Sequence, residues 1–126
     1  MRLLLDTHVV LWQLSGSRTL GPTAEAAIAS ASELRFSVVS FAEIGVKVAV
    51  GKLRVPEGLE DHVARSGLRV LGLTAAQGLG VAALPLHHRD PFDRLLIAQA
   101  SSEGLTLVTA DERILEYDVP TLDPLA

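Results

Sequence analysis

RDPFDRLLIAQASSEGLTLVTAD, residues 89–111, contains one complete helix-to-strand unit. Pro91 suits the first helical position, and Asp90 before it suits the N-cap, where a side-chain oxygen satisfies free amides of the first turn. The apolar stretch that follows predicts a helix over 91–103, and Gly104 predicts its end. LTLV at 105–108 then predicts a strand, followed by a turn at TAD. One acid is enough for a cap, yet this turn has two, Asp90 and Asp93. The second either complements the helix dipole or is held out toward something else, and the rest of the chain has to decide.

Working outward, RLLL at 2–5 predicts a short buried strand that ends at Asp6. An alanine-rich helix led by Pro22 is expected within 21–32, and RFSVV at 35–39 is strand-like. The segment 40–53 predicts a helix opening at Ser40, with Glu43 placed as the partner in a capping box. A polar helix is expected within 56–67, a third strand within 68–73, and a short helix after Thr74. PLHHRD at 85–90 reads as a loop, ERILEY at 112–117 as a short helix, and VPTL at 119–122 as a last extended piece. Strands alternating with helices at this spacing predict an α/β fold, one domain over 1–126, with a central, mainly parallel sheet flanked by helices.

In such a sheet ligands gather at the carboxyl ends of the strands. Asp6 ends the first strand, Glu43 follows the second by four residues, and Asp111 follows LTLV by three. If the 85–90 loop returns the chain to the same edge, Asp93 joins them and four carboxylates meet there. Each has a plainer reading: Glu43 as half of a capping box, Asp93 as a first-turn acid, Asp111 as a cap for ERILEY. Asp6 is the hardest to dismiss, because an acid at the end of a buried strand gains little from packing.

Composition sets the bounds. The 126 residues are 48% hydrophobic, enough for one core, and no run of about 18 apolar residues could span a bilayer, so the expected compartment is the cytoplasm. With no cysteine there is no thiolate metal site and no cysteine nucleophile. A net charge of -4 argues against nucleic-acid binding through a broad basic surface, and the five aromatics do not suggest a stacking platform. The objection from charge relaxes if the negative charge is concentrated, since two divalent ions would bring -4 to 0.

Clustered carboxylates are tolerated when a hard cation lies between them. Mg²⁺ and Mn²⁺ prefer oxygen ligands, and such a site suits phosphodiester cleavage. Lys47, Lys52, Arg54, Arg89 and Arg94 lie near the proposed edge in sequence and are candidates to hold phosphates, solvated surface charge being the competing reading. His87 and His88 are not expected to form a metal pair, because adjacent loop residues point apart. No phosphate-cradling glycine loop of the P-loop or dinucleotide type is present.

These residues resemble a PIN domain, specifically a VapC-type toxin of a bacterial or archaeal toxin-antitoxin pair. LLLDTHVVLW resembles the family's opening strand with its metal-binding Asp, here Asp6; SVVSFAEIGVKVAVGKL resembles the second acidic segment, with Glu43. RDPFDRLLIAQA resembles the third, with Asp93, and LTLVTAD the fourth, with Asp111, so the match spans essentially the whole chain. The resemblance implies a Mg²⁺-dependent ribonuclease acting on RNA, usually a homodimer and inhibited by a small antitoxin. His8 stands where many members have Asn, and the acid pair of DPFD leaves a part for Asp90. A phosphorelay receiver is the alternative from another class, but it wants paired acids after the first strand and a late Lys, where DTH and LVTAD supply neither. A degenerate PIN domain that binds without catalysis is the third reading; retention of all four acids argues against it.

Overall fold

The three leucines of RLLL place the centre of the molecule. β1 (Arg2–Leu5) is buried from Leu3 onward. Side chains alternate across a strand, so Leu4 packs on one face of the sheet while Leu3 and Leu5 pack on the other. A strand covered on both faces belongs in the interior of a parallel sheet. In the computed structural model, which describes residues 1–126, the other strands are β2 (Glu33–Ser37), β3 (Arg69–Leu71), β4 (Thr106–Val108) and β5 (Thr121–Leu122). Their order is β3-β2-β1-β4-β5 and every pairing is parallel, with Leu4 beside Arg35 on one side and Leu107 on the other.

The helices are α1 (Thr7–Ser15), α2 (Pro22–Ser30), α3 (Val38–Ala49), α4 (Leu59–Arg65), α5 (Ala75–Gly80) and α6 (Pro91–Glu103). Single 3-10 turns lie at Val81–Ala83 and Ile114–Glu116. On one face Leu4 and Leu107 meet Leu96, Ile97 and Ala100 of α6. On the other, Leu3, Leu5, Phe36 and Val108 meet Val9 and Val10 of α1, Ile44 of α3 and Val63 of α4. The α/β fold with helices on both faces is the one expected, and its sheet is wholly parallel.

Several local boundaries differ from the sequence reading, and two of the differences bear on function. α1 was not anticipated: the chain passes from strand to helix through Asp6 alone, whose side chain accepts the Thr7 amide as N-cap. α3 begins at Val38, capped by Ser37, and not at Ser40. The capping box expected between Ser40 and Glu43 is therefore not formed. Ser40 instead accepts from the Thr7 hydroxyl (2.8 Å), and Glu43 is left facing elsewhere. ERILEY contributes one 3-10 turn and no α-helix. The helix after Thr74 does carry a complete capping box, between Thr74 and Gln77, and α6 ends at Gly104 in the left-handed conformation (φ 67°) that glycine adopts without strain.

Successive strands step outward from β1 through β2 to β3, after which the chain returns to the other side of β1 for β4 and β5. The reversal lies between β1 and β4. Beyond the carboxyl ends of these two strands a crevice opens, the position where open parallel sheets bind ligands.

Candidate metal centre

Four segments of chain bring acids to this crevice. Asp6 sits at the end of β1 with its backbone amide still bonded to Val108 of β4 (3.0 Å). Its Oδ1 accepts from the Thr7 amide and its Oδ2 from the Thr109 hydroxyl, both at 2.7 Å. The same Thr109 oxygen accepts the Asp111 amide (3.1 Å), so one side chain ties the first acid to the last. Glu43 points inward from the second turn of α3, and Asp93 from the first turn of α6. All four acids line one cleft of about 500 Å³, which has a single hydrophobic residue, Leu11, in its wall. The structure thus brings Asp6, Glu43, Asp93 and Asp111 together.

The tightest group includes a residue that the sequence reading set aside. His88 Nε2 lies 2.7 Å from Asp93 Oδ2 and 3.8 Å from Asp111 Oδ2, and one ligand atom from each of the three fits within 4.8 Å of the others. Both histidines line the cleft, His87 exposed and packed edge-on against Tyr117, His88 buried against Asp93. Nothing in the periodicity of PLHHRD separates one from the other; only the folded loop does. Arg113 in the cleft wall was likewise missed, its sole signal being proximity to Asp111.

Among the five cations proposed for phosphate, Lys47 and Arg89 line the cleft, whereas Lys52 and Arg54 are exposed outside its wall. Arg94 requires a correction. It is buried, and its guanidinium donates to the carbonyls of Val81, Leu84, Pro85 and His88 and to the Tyr117 hydroxyl. With its donors engaged by these carbonyls and the Tyr117 hydroxyl, Arg94 fastens the loop that carries His88 and does not line the cleft.

The electrostatics match a cation site. Burial, with the Asp6 charge next, pushes the Asp93 carboxyl up to about 7 against the lowering contact with His88. Burial also raises Asp6, against His8, Thr109 and Thr7. Glu43 Oε2 accepts from Lys47 Nζ (2.7 Å), a bond that raises the lysine and holds it protonated. Glu43 Oε1, by contrast, is buried without any hydrogen-bond partner. An orphaned carboxylate oxygen beside acids forced toward protonation, with imidazole and carboxylate donors only, is the environment a hard divalent cation relieves. The residues fit such an ion.

A wholly parallel sheet with an acid-lined crevice at its reversal point defines the class: an α/β domain with a carboxylate-rich cleft. The PIN domain model matches residues 3–120. Ribonuclease VapC22 of Mycobacterium tuberculosis (strain ATCC 25618 / H37Rv) is 32% identical over 125 residues, covering 93% of this chain and 92% of that protein. VapBC2 from Rickettsia felis, solved bound to a DNA fragment from its promoter, contains a chain similar in fold, with TM-score 0.70 at 17% identity over 97% of this chain and 98% of that one. A toxin-antitoxin complex from Klebsiella pneumoniae contains another, with TM-score 0.63 at 15% identity over 97% of each chain. The chain belongs to the PIN domain family, and its resemblance is to the VapC members.

Proposed function

We propose that this PIN domain is a Mg²⁺-dependent endoribonuclease, with Mn²⁺ able to substitute, and the toxin of a VapC-type pair restrained by a small cognate antitoxin. One observation carries the reading: Asp6, Glu43, Asp93 and Asp111 converge with Glu43 Oε1 unpartnered and Asp93 driven up to about 7. RNA as substrate is supported by the relative named as a ribonuclease, and a protein inhibitor by the similar chain found in a toxin-antitoxin complex. No helix is long and apolar enough to cross a membrane, and a cytoplasmic location goes with the proposal. So does a homodimer, for which exposed Val70, Leu73, Leu79 and Leu86 supply apolar surface.

Asp6, Glu43, Asp93 and Asp111 would hold the ion. A divalent cation bound there supplies neutralisation of the scissile phosphate and activation of the attacking water. His88 orients Asp93, and Lys47 holds the Glu43 carboxylate through Oε2, leaving Oε1 without a protein partner. Arg89 and Arg113, both exposed at the wall, are placed to hold phosphates of the bound strand.

Incubation of the purified chain with single-stranded RNA tests the reading. Cleavage is expected with Mg²⁺ or Mn²⁺ and none in EDTA, and expression should arrest growth unless Asp6→Asn is introduced. Strong cleavage in EDTA, or equal toxicity from a folded Asp6→Asn protein, would overturn it.

A further inference from the structure

Beside the acidic cleft lies a second hollow, of about 460 Å³, between His8 and Trp12 of α1 and the 110–113 loop. It shares His8, Asp111 and Arg113 with the cleft, so the two adjoin at Asp111. Trp12 is the only tryptophan of the chain and is half-buried. Its ring packs on His8, with centroids 4.8 Å apart and planes tilted by 53°. The exposed side chain of Arg18 reaches over the ring, its guanidinium carbon 5.1 Å from the centroid.

His8 is held from two sides. Its Nε2 accepts the Ala110 amide (3.3 Å), which leaves the proton on Nδ1, 3.2 Å from Asp6 Oδ2. The aromatic wall of the hollow is thereby fixed in register with the acids at the ends of β1 and β4. An aromatic ring and a guanidinium in one lining, beside the acid-lined cleft, together have the chemistry of a nucleobase site, because bases pack on aromatic rings and on arginine planes.

We propose that the hollow between Trp12 and the 110–113 loop receives the base of a nucleotide adjoining the scissile phosphate in single-stranded RNA, packed against Trp12 and Arg113, which share its lining. The proposal rests on the ribonuclease reading and extends it to the substrate: an unpaired base is required, since one inside a duplex has no free face to offer.

The sole tryptophan reports its own occupancy. Stopped-flow mixing of the wild-type chain in Mg²⁺ with oligoadenylate, oligouridylate or an abasic ribose oligomer of equal length reads Trp12 fluorescence before turnover. Quenching by the two base-bearing strands and not by the abasic one is expected; equal quenching by all three, or none, overturns the proposal and leaves Trp12 to a protein partner. In steady-state cleavage, Trp12→Leu should raise KM about tenfold, the range for losing one base-aromatic stack, with kcat within about twofold, while Trp12→Phe recovers most of the loss. Circular dichroism melting establishes that both variants fold, and if Trp12→Leu does not, the wild-type quenching decides. An unchanged KM in folded Trp12→Leu removes the subsite and leaves the nuclease reading standing. Base-dependent quenching by a chain that cleaves no RNA does the reverse.

Discussion

Asp90 and Asp93 stand three residues apart at the start of one helix, in opposite surroundings. Asp90 Oδ1 accepts the amides of Phe92 (2.9 Å) and Asp93 (3.0 Å), the bonds of an N-cap. Asp90→Ala should therefore cost about 0.5 to 2 kcal/mol of stability with a smaller effect on cleavage, read from melting temperature and rate together. Asp93 makes no cap bond and is raised by burial to about 7 from an ordinary 3.8. Its ionisation is thus harder in the folded chain than in the unfolded one, so its contribution to stability falls as pH rises from about 4 through about 7, and the full penalty stands above that. Without divalent ions, Asp93→Asn should melt higher than wild type at pH 8, by roughly 1 to 4 kcal/mol at 1.36 kcal/mol per pKa unit, and show little gain near pH 4. Mg²⁺ should reverse the order at pH 8 by stabilising wild type alone. Failure of the variant to gain stability between pH 4 and pH 8 would remove the cost of ionising Asp93 in its buried, acid-lined place, on which the metal assignment stands.

At the scale of elements, the helix boundaries decide which side chains reach the crevice. The acids were legible in the sequence because each follows a strand or opens a helix at the carboxyl edge, a relation that spacing alone reveals. α1 was not legible: THVVLWQLS carries a β-branched pair and is apolar nearly all round, and its start signal, Asp6, was already accounted for as a strand-end acid. The start of α3 was misplaced for a related reason, since RFSVV reads as strand through Val39 while Ser37 caps the helix from within that run. His88 was out of reach because its position depends on the loop that Arg94 fastens from α6. That dependence separates two arginines next to the same site. Arg94→Lys loses several bonds to buried carbonyls and should destabilise the chain by about 2 to 4 kcal/mol, slowing cleavage through His88 without changing the salt dependence of RNA binding. Arg89→Ala should leave the melting temperature nearly unchanged and lower the slope of log affinity against log salt by about 1. Salt titration of RNA binding by both variants distinguishes a clamp from a phosphate contact.

For the molecule as a whole, the proposed metal site exists only when the entire chain is folded, since its acids come from positions 6, 43, 93 and 111 and meet through a sheet whose middle strand is β1. An ion that binds this assembled set and not the unfolded chain stabilises the fold by an amount set by its concentration relative to Kd, whatever the intrinsic stability of the core. Leu4 and Asp6 lie two residues apart on the central strand and its exit, one fully buried in the core and the other in the cleft. Leu4→Ala should cost about 2 to 5 kcal/mol through the lost burial and the cavity it leaves, yet retain the full Mg²⁺-dependent increment in unfolding free energy, because no ligand has moved. Asp6→Asn should do the opposite, losing the increment while keeping or gaining stability without the ion. Urea unfolding of both variants with and without Mg²⁺ measures the two quantities separately; if Leu4→Ala loses the increment while still folding, the cleft is not rigidly positioned by the sheet, and if Asp6→Asn keeps it, the ion is held elsewhere.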